Sequence, residues 1–164
     1  MKWASVFSKK SNFTDNVEEI IQQLKEELNG APDLLIAFVS QRFSYEINDF
    51  PAFIKKVFPD CLIAGCNSEI LMYDDTETDS SPCISVLAAK GIADNCADIA
   101  YVDLENCPGE DDSPASWRKY IGLDKKMNQN FIVFADPFTQ HIDELLKGID
   151  YAYDCPVTGG FASG

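Results

Sequence analysis

Five small, polar or reactive residues lie at the end of a segment that is predicted to be a buried strand. The segment Cys61–Cys66 (CLIAGC) is apolar, and it runs into Gly65, Cys66, Asn67, Ser68 and Glu69. Open α/β sheets bind ligands beyond the carboxyl ends of their strands, and a turn of this composition can present backbone N–H groups to an anion or a carboxylate. The alternative is a tight turn in which Asn67 and Ser68 satisfy local backbone groups.

A second set of candidate ligand contacts lies near the end of the chain. Asp136 follows the apolar segment Phe131–Ala135, so it could contact a ligand, although helix capping is the more ordinary role of such a residue. Further on, the glycine-rich stretch VTGGFASG brings in Gly159, Gly160 and Ser163. It lacks the Gly-Lys-Ser/Thr of a phosphate-binding loop, and the alternative is a glycine-rich strand packed against a neighbour.

No combination of residues identifies a reaction, and we assign no catalytic residue. A nucleophilic cysteine needs a nearby base, and His141 is the only histidine, so a Cys66–His141 dyad is possible but a surface or capping histidine is more ordinary. The six cysteines show no C-x-x-C spacing, and zinc sites usually combine several cysteines and histidines. We therefore expect no metal, no cofactor and reduced thiols.

The charge of the chain restricts its partners. Thirteen basic residues against twenty-seven acidic ones give a formal net charge of −14, which disfavours nucleic acid and anionic membranes as partners. A basic protein partner or simple solubility would explain this charge. No apolar run approaches the ~20 residues of a membrane span, and the first residues do not form a signal peptide. We expect a cytoplasmic protein or, if a targeting peptide has been removed, one inside an organelle.

Apolar periodicity predicts the elements that would position these residues. Helices are predicted over Asn12–Asn29, over 45–58 with a start near Asp49, over 115–121 and over 140–153. Strands are predicted over 2–8, 34–40, 61–66, 83–89, 98–104 and 130–135, with a further strand or turn from Val157, and the polar segment 74–79 is predicted to be a loop. The order β-α-β-α-β, then antiparallel strands, then β-α-β, predicts a single α/β domain over residues 1–164, with a mixed sheet flanked by helices.

Two segments together resemble the FIST domain family. Leu62–Glu69 (LIAGCNSE) resembles the family's V-x-G-C-[ST]-[SA]-E stretch. Asp136–Gly164 resembles its later stretch of Asp-Pro, a helix and Pro-Val-x-Gly-Gly-x-Ala-Ser-Gly. The early apolar strand Leu34–Ser40 matches as well, so the resemblance covers nearly the whole chain. One departure is Ile70, which stands where the family commonly has a glycine, so the resemblance is weakest at this turn.

The resemblance implies an intracellular signal-input module that binds a small polar ligand such as an amino acid. Family members normally continue beyond the second motif, so the resemblance implies that a carboxy-terminal part or a companion chain completes the sheet beyond Gly164. Two other interpretations stay open. The chain could be a structural subunit or scaffold in a larger assembly, or one half of a hydrolase that is cleaved after Gly164 to create an N-terminal nucleophile.

Overall fold

The protein combines helices and strands in two compact units. The structure, a computed structural model, describes residues 1–79, 81–92, 96–109 and 111–162. The first unit is Met1–Ile99 and the second is Ala100–Ala162. Each contains parallel strands joined through a helix, and the larger sheet mixes parallel and antiparallel pairs, which confirms the predicted mixed α/β class. Within the described residues, no helix is long and apolar enough to cross a bilayer.

Helix α1 (Phe13–Leu28) forms where the apolar periodicity predicts it. The side chain of Asn12 accepts a hydrogen bond from the backbone N–H of Asp15 and so caps the first turn. The helix ends where Asn29 takes the left-handed conformation, which leaves Gly30 to turn the chain. Its apolar side is fully buried, with Val17, Ile20, Leu24 and Leu28 at 0–2 % exposure.

Four strands in the described part of the first unit form one sheet. They are β1 (Lys2–Ser8), β2 (Leu34–Ser40), β3 (Leu62–Ser68) and β6 (Ile84–Lys90), in the order β1-β6-β2-β3. β2 and β3 are parallel and are joined through α2 (Phe50–Val57), whereas β6 is antiparallel to both of its neighbours. The carboxyl ends of β1, β2 and β3 therefore lie at one edge of the sheet, together with the start of β6.

The two faces of this sheet are covered differently. Helices α1 and α2 pack on one face, and their apolar residues form a continuous core with alternate residues of β1, β2 and β6. A hairpin of β4 (Ile70–Tyr73) and β5 (Thr76–Asp79) packs on the other face, where Tyr73 stacks on Phe7 at 5.1 Å between ring centroids. Leu71 of the hairpin is 2 % exposed, so the hairpin contributes to the core.

The second unit is built around a parallel strand pair. β7 (Phe131–Ala135) pairs with β8 (Val157–Phe161), and α4 (Ile142–Tyr153) connects them. Helix α3 (Pro114–Ile121) packs against α4, with the Trp117 ring placed where a side chain at Gly148 would overlap it. Tyr153 is 1 % exposed, and its hydroxyl donates to the Leu123 carbonyl at 2.7 Å.

Two of the predicted elements are wrong. The segment 98–104 is not a strand, because Ile99 and Tyr101, which would share one face, are 44 % and 94 % exposed and bury nothing. Instead, the Asp103 carboxylate accepts the Glu105 N–H and starts a short 3-10 turn. The segment 74–79 is not a loop but the turn and second strand of the β4–β5 hairpin, with Asp74 in the left-handed conformation.

Candidate functional site

Residues 65–68 continue strand β3, so the interpretation of Gly65–Ser68 as a turn after the strand is wrong. They pair in parallel register with β2, Gly65 opposite Ala37 and Ser68 opposite Ser40. Pairing with β2 outweighs the local preference of Gly, Asn and Ser for turns, because each paired residue satisfies backbone groups in the sheet. Glu69 alone lies outside the strand, and it is exposed.

Gly65 is required by the close approach of the two strands. A Cβ atom at this position would overlap the backbone carbonyl of Ala37, so every other residue would push β3 away from β2. The neighbouring Cys66 is half-buried, and burial raises the pKa of its thiol above the ordinary value. That shift is opposite to the one that a nucleophilic cysteine needs.

Asn67 and Ser68 occupy the carboxyl end of β3. The Ser68 hydroxyl donates to the Ile70 carbonyl at 2.7 Å and so binds its own chain. The Asn67 Oδ1 atom is buried and has no hydrogen-bond partner in the described chain. A buried amide oxygen without a donor is costly, which makes this atom a candidate contact for a ligand.

In the second unit, the candidate residues lie on or beside the β7–β8 pair. Asp136 follows β7, and its Oδ1 atom accepts the Phe138 N–H at 2.8 Å, which is a local turn contact. Gly159 lies in β8 opposite Val133 with φ near +150°, and a Cβ atom there would overlap the Val133 carbonyl. Gly160 is also within β8, so the stretch is a glycine-rich strand here. Ser163 lies outside the described residues.

His141 lies directly before helix α4 in the left-handed conformation, and its Nδ1 atom lies 3.5 Å from the Glu144 Oε1 atom. That contact lowers the pKa of the exposed Glu144 carboxyl, after the larger effect of its backbone hydrogen bond. The exposed histidine makes no side-chain capping hydrogen bond, so of the alternatives to a dyad it has the surface role. His141 belongs to the second unit and Cys66 to the first.

An open cleft of about 520 Å³ lies in the first unit, and none of its lining residues is among the predicted ligand contacts. It is lined by Ser11, Asn12, Phe13, Arg42, Phe43, Glu46 and Pro82. These residues come from the start of α1, the connection after β2 and the segment before β6, all of which adjoin the carboxyl edge of the sheet. The candidate residues 65–69 do not line it. Three separate chain segments contribute, so no single motif could have indicated it.

The fold and this sheet edge define a mixed α/β domain with polar groups gathered at the carboxyl ends of its strands. The FIST N domain family matches residues 33–164, which is most of the chain and includes both glycine-containing motifs. The chain therefore belongs to the FIST N domain family, a signalling-associated sensory domain family. The searches of curated proteins and of solved structures give no match.

Proposed function

We propose that this chain is the sensory part of a cytoplasmic signalling protein and binds a small polar ligand such as an amino acid. Membership of the FIST N domain family carries the proposal, because that family is associated with signal input. The ligand contacts that we propose are Gly65, Cys66, Asn67, Ser68, Glu69, Asp136, Gly159, Gly160 and Ser163. A second FIST half or a companion chain is the partner that we propose.

Asn67 gives this proposal its most specific support. Its Oδ1 atom is buried at the end of β3 without a hydrogen-bond donor in the described residues. A bound ligand with an N–H or O–H group would supply that donor and remove the energetic penalty. Ligand binding at the carboxyl ends of strands is also the general behaviour of open α/β sheets.

A thermal-shift screen of the protein with the common amino acids tests the proposal. We expect saturable stabilisation by at least one compound, since a ligand at a hundred times its Kd stabilises by about 2.7 kcal/mol. The variant Asn67→Ala should lose the response, while Gln22→Ala on the exposed side of α1 should keep it. A flat response across the panel, or an equal response of the two variants, would contradict the proposal.

The formal net charge of −14 favours a second candidate function, that of a scaffold for a basic protein partner. Such binding would be electrostatic and would weaken strongly between low and high salt. Purification from native material at low ionic strength should then recover a stoichiometric basic partner. Loss of that partner at high salt is expected, whereas recovery of the chain alone at both salt concentrations would exclude this role.

A further inference from the structure

We propose that the cleft lined by Arg42, Phe43 and Glu46 binds a small organic ligand through a protonated primary amine. The ammonium group would lie on the Glu46 carboxylate, and the apolar part of the ligand would lie against Phe13 and Phe43. This proposal rests on the proposed ligand-binding function and names a separate site and a chemical class for it.

Glu46 provides the main evidence that the cleft binds a ligand. Its Oε2 atom is buried and has no hydrogen-bond partner among the described residues, although the side chain lines an open cleft. Its backbone is fixed by the 3.0 Å hydrogen bond from the Glu46 N–H to the Phe43 carbonyl, so the residue is held in place. A carboxylate oxygen removed from water without a donor is destabilising, and a ligand N–H group would restore the lost hydrogen bond.

The lining of the cleft gives no comparable reason to expect that an anion binds there. The start of α1 is the positive end of a helix, but Asn12 already caps it and Asp15 already places a carboxylate in its first turn. Arg42 adds a positive charge to the lining and is itself exposed to solvent.

Three of the seven lining residues are apolar and can contact the apolar part of a ligand. Phe13 and Phe43 pack edge to face at 5.5 Å between ring centroids, and Pro82 adds a further apolar surface. Aromatic rings also attract an ammonium ion that lies near their faces. The net charge of −14 raises the local concentration of cations around the whole molecule, which increases the rate at which an amine would reach the cleft.

Three matched probes test this proposal by titration calorimetry on the whole chain. 2-Phenylethylamine carries the amine and an aromatic body, 3-phenylpropionate replaces the amine by a carboxylate, and phenylalanine carries both groups. We expect 2-phenylethylamine and phenylalanine to bind and 3-phenylpropionate to give no signal. Binding of 3-phenylpropionate as tight as that of the amine would overturn the proposal.

The variant Glu46→Gln removes the charge and keeps the shape of the side chain. We expect it to weaken 2-phenylethylamine at least tenfold, whereas Glu26→Gln on the exposed side of α1 should leave binding unchanged. Without ligand, Glu46→Gln should be as stable as the natural chain or more stable, because it removes the charge from a group with one buried oxygen that has no donor among the described residues. Unchanged binding in Glu46→Gln, or a clear loss of stability without ligand, would show that Glu46 has no ligand role.

These results separate the site from the broader function. If an amino acid stabilises the chain through Asn67 but Glu46→Gln changes nothing, the amine site is wrong and the sensory function stands. If 2-phenylethylamine binds through Glu46 while Asn67→Ala has no effect, the cleft is the ligand site and the strand-end contacts are wrong. If neither the amino acids nor 2-phenylethylamine bind, both proposals fail.

Discussion

The two parallel strand pairs, β2–β3 in the first unit and β7–β8 in the second, share one construction. In each pair, a glycine of the second strand lies against a carbonyl of the first, Gly65 on Ala37 and Gly159 on Val133. In each, a polar residue lies three positions after that carbonyl, at the last position of β2 or directly after β7, and its side chain accepts the N–H two residues further on. That residue is Ser40 in one pair and Asp136 in the other.

The pairs differ in what surrounds them. β2 has β6 on its other side, and most of its residues are buried on both faces. The described residues of the second sheet comprise β7 and β8 alone, and Ile132 and Phe161 are 56 % and 63 % exposed. The glycine itself is exposed in both pairs, but the first strand that it contacts is mostly buried in the first unit (β2) and only partly buried in the second (β7). The surroundings of each strand pair, more than the close contact between glycine and carbonyl, should therefore decide how much a substitution lowers the free energy of unfolding.

The largest effect is expected for Gly65→Ala. The new methyl group overlaps the carbonyl of Ala37, a core residue that is 3 % exposed, so β2 cannot move away from it without disturbing the core. We expect a loss of about 3 kcal/mol in the free energy of unfolding, the upper part of the usual range for overpacking. Urea unfolding followed by circular dichroism measures it.

Gly160→Ala is the matched control, because a Cβ atom at Gly160 meets nothing within 4 Å. It should change the stability by less than about 0.5 kcal/mol, as is usual for an exposed substitution. Equal effects of Gly65→Ala and Gly160→Ala would refute the close-approach explanation.

Gly159→Ala should have the second-largest effect. It combines the overlap with Val133 and a φ near +150°, which side chains rarely tolerate. However, the exposed β7–β8 pair can open locally, which limits the loss to about 2 kcal/mol. Hydrogen exchange should show faster exchange confined to the second unit, and faster exchange throughout the β1-β6-β2-β3 sheet would contradict this limit.

The two cysteines that lie four positions before these glycines should differ in reactivity by about tenfold. Cys61 is 1 % exposed and Cys155 is half-buried, so a thiol reagent should label Cys155 faster at neutral pH. A tenfold ratio corresponds to about 1.4 kcal/mol. Labelling with a chromogenic disulfide, followed by peptide mass analysis, gives the two rates, and equal rates would show that the settings do not differ.

Burial also raises the pKa of Cys61 to about 11 from the ordinary 9.0. The neutral thiol therefore contributes stability below pH 9 that is lost as the pH rises toward 11. The Cys61→Ser variant should lack this part of the alkaline loss.

The smallest effects are expected for Ser40, the last residue of β2, and for Asp136, which directly follows β7. Ser40→Ala should cost about 1 kcal/mol, because Ser40 is buried and water cannot replace its hydroxyl. Asp136→Ala should cost about 0.5 kcal/mol, since the exposed Phe138 N–H can bind water instead. Thermal unfolding of both variants checks the order, and a larger loss for Asp136→Ala would reverse the comparison.

The helices were the easiest elements to predict from the sequence. For α1, the apolar period, the Asn12 cap and Gly30 all indicate the same boundaries, and the structure agrees within one residue at each end. The end of β3 could not be predicted locally, because Gly65–Ser68 has turn composition and only pairing with β2 makes it a strand. The alternation of 98–104 was equally misleading, since alternation indicates a strand only where a neighbouring strand is available.

The candidate site was predictable only in part. The two glycine motifs are contiguous, so the sequence indicated them and also the family. The importance of Glu46 depends on a missing hydrogen-bond partner, and the cleft depends on segments about 70 residues apart that the sheet brings together. Neither property has a local sequence signal.

The pairing of β1 with β6 also has a consequence for how the protein is made. Lys2 lies opposite Lys90, so β1 can pair only after β6, the last of these four strands in the sequence, has been synthesised. At a synthesis rate of about 5–20 residues per second, β1 remains unpaired for on the order of ten seconds. During that time α2 can already join β2 to β3, because their partners lie close in sequence. The strand β1 thus pairs late, and its pairing with β6 completes the four-stranded sheet of the described residues.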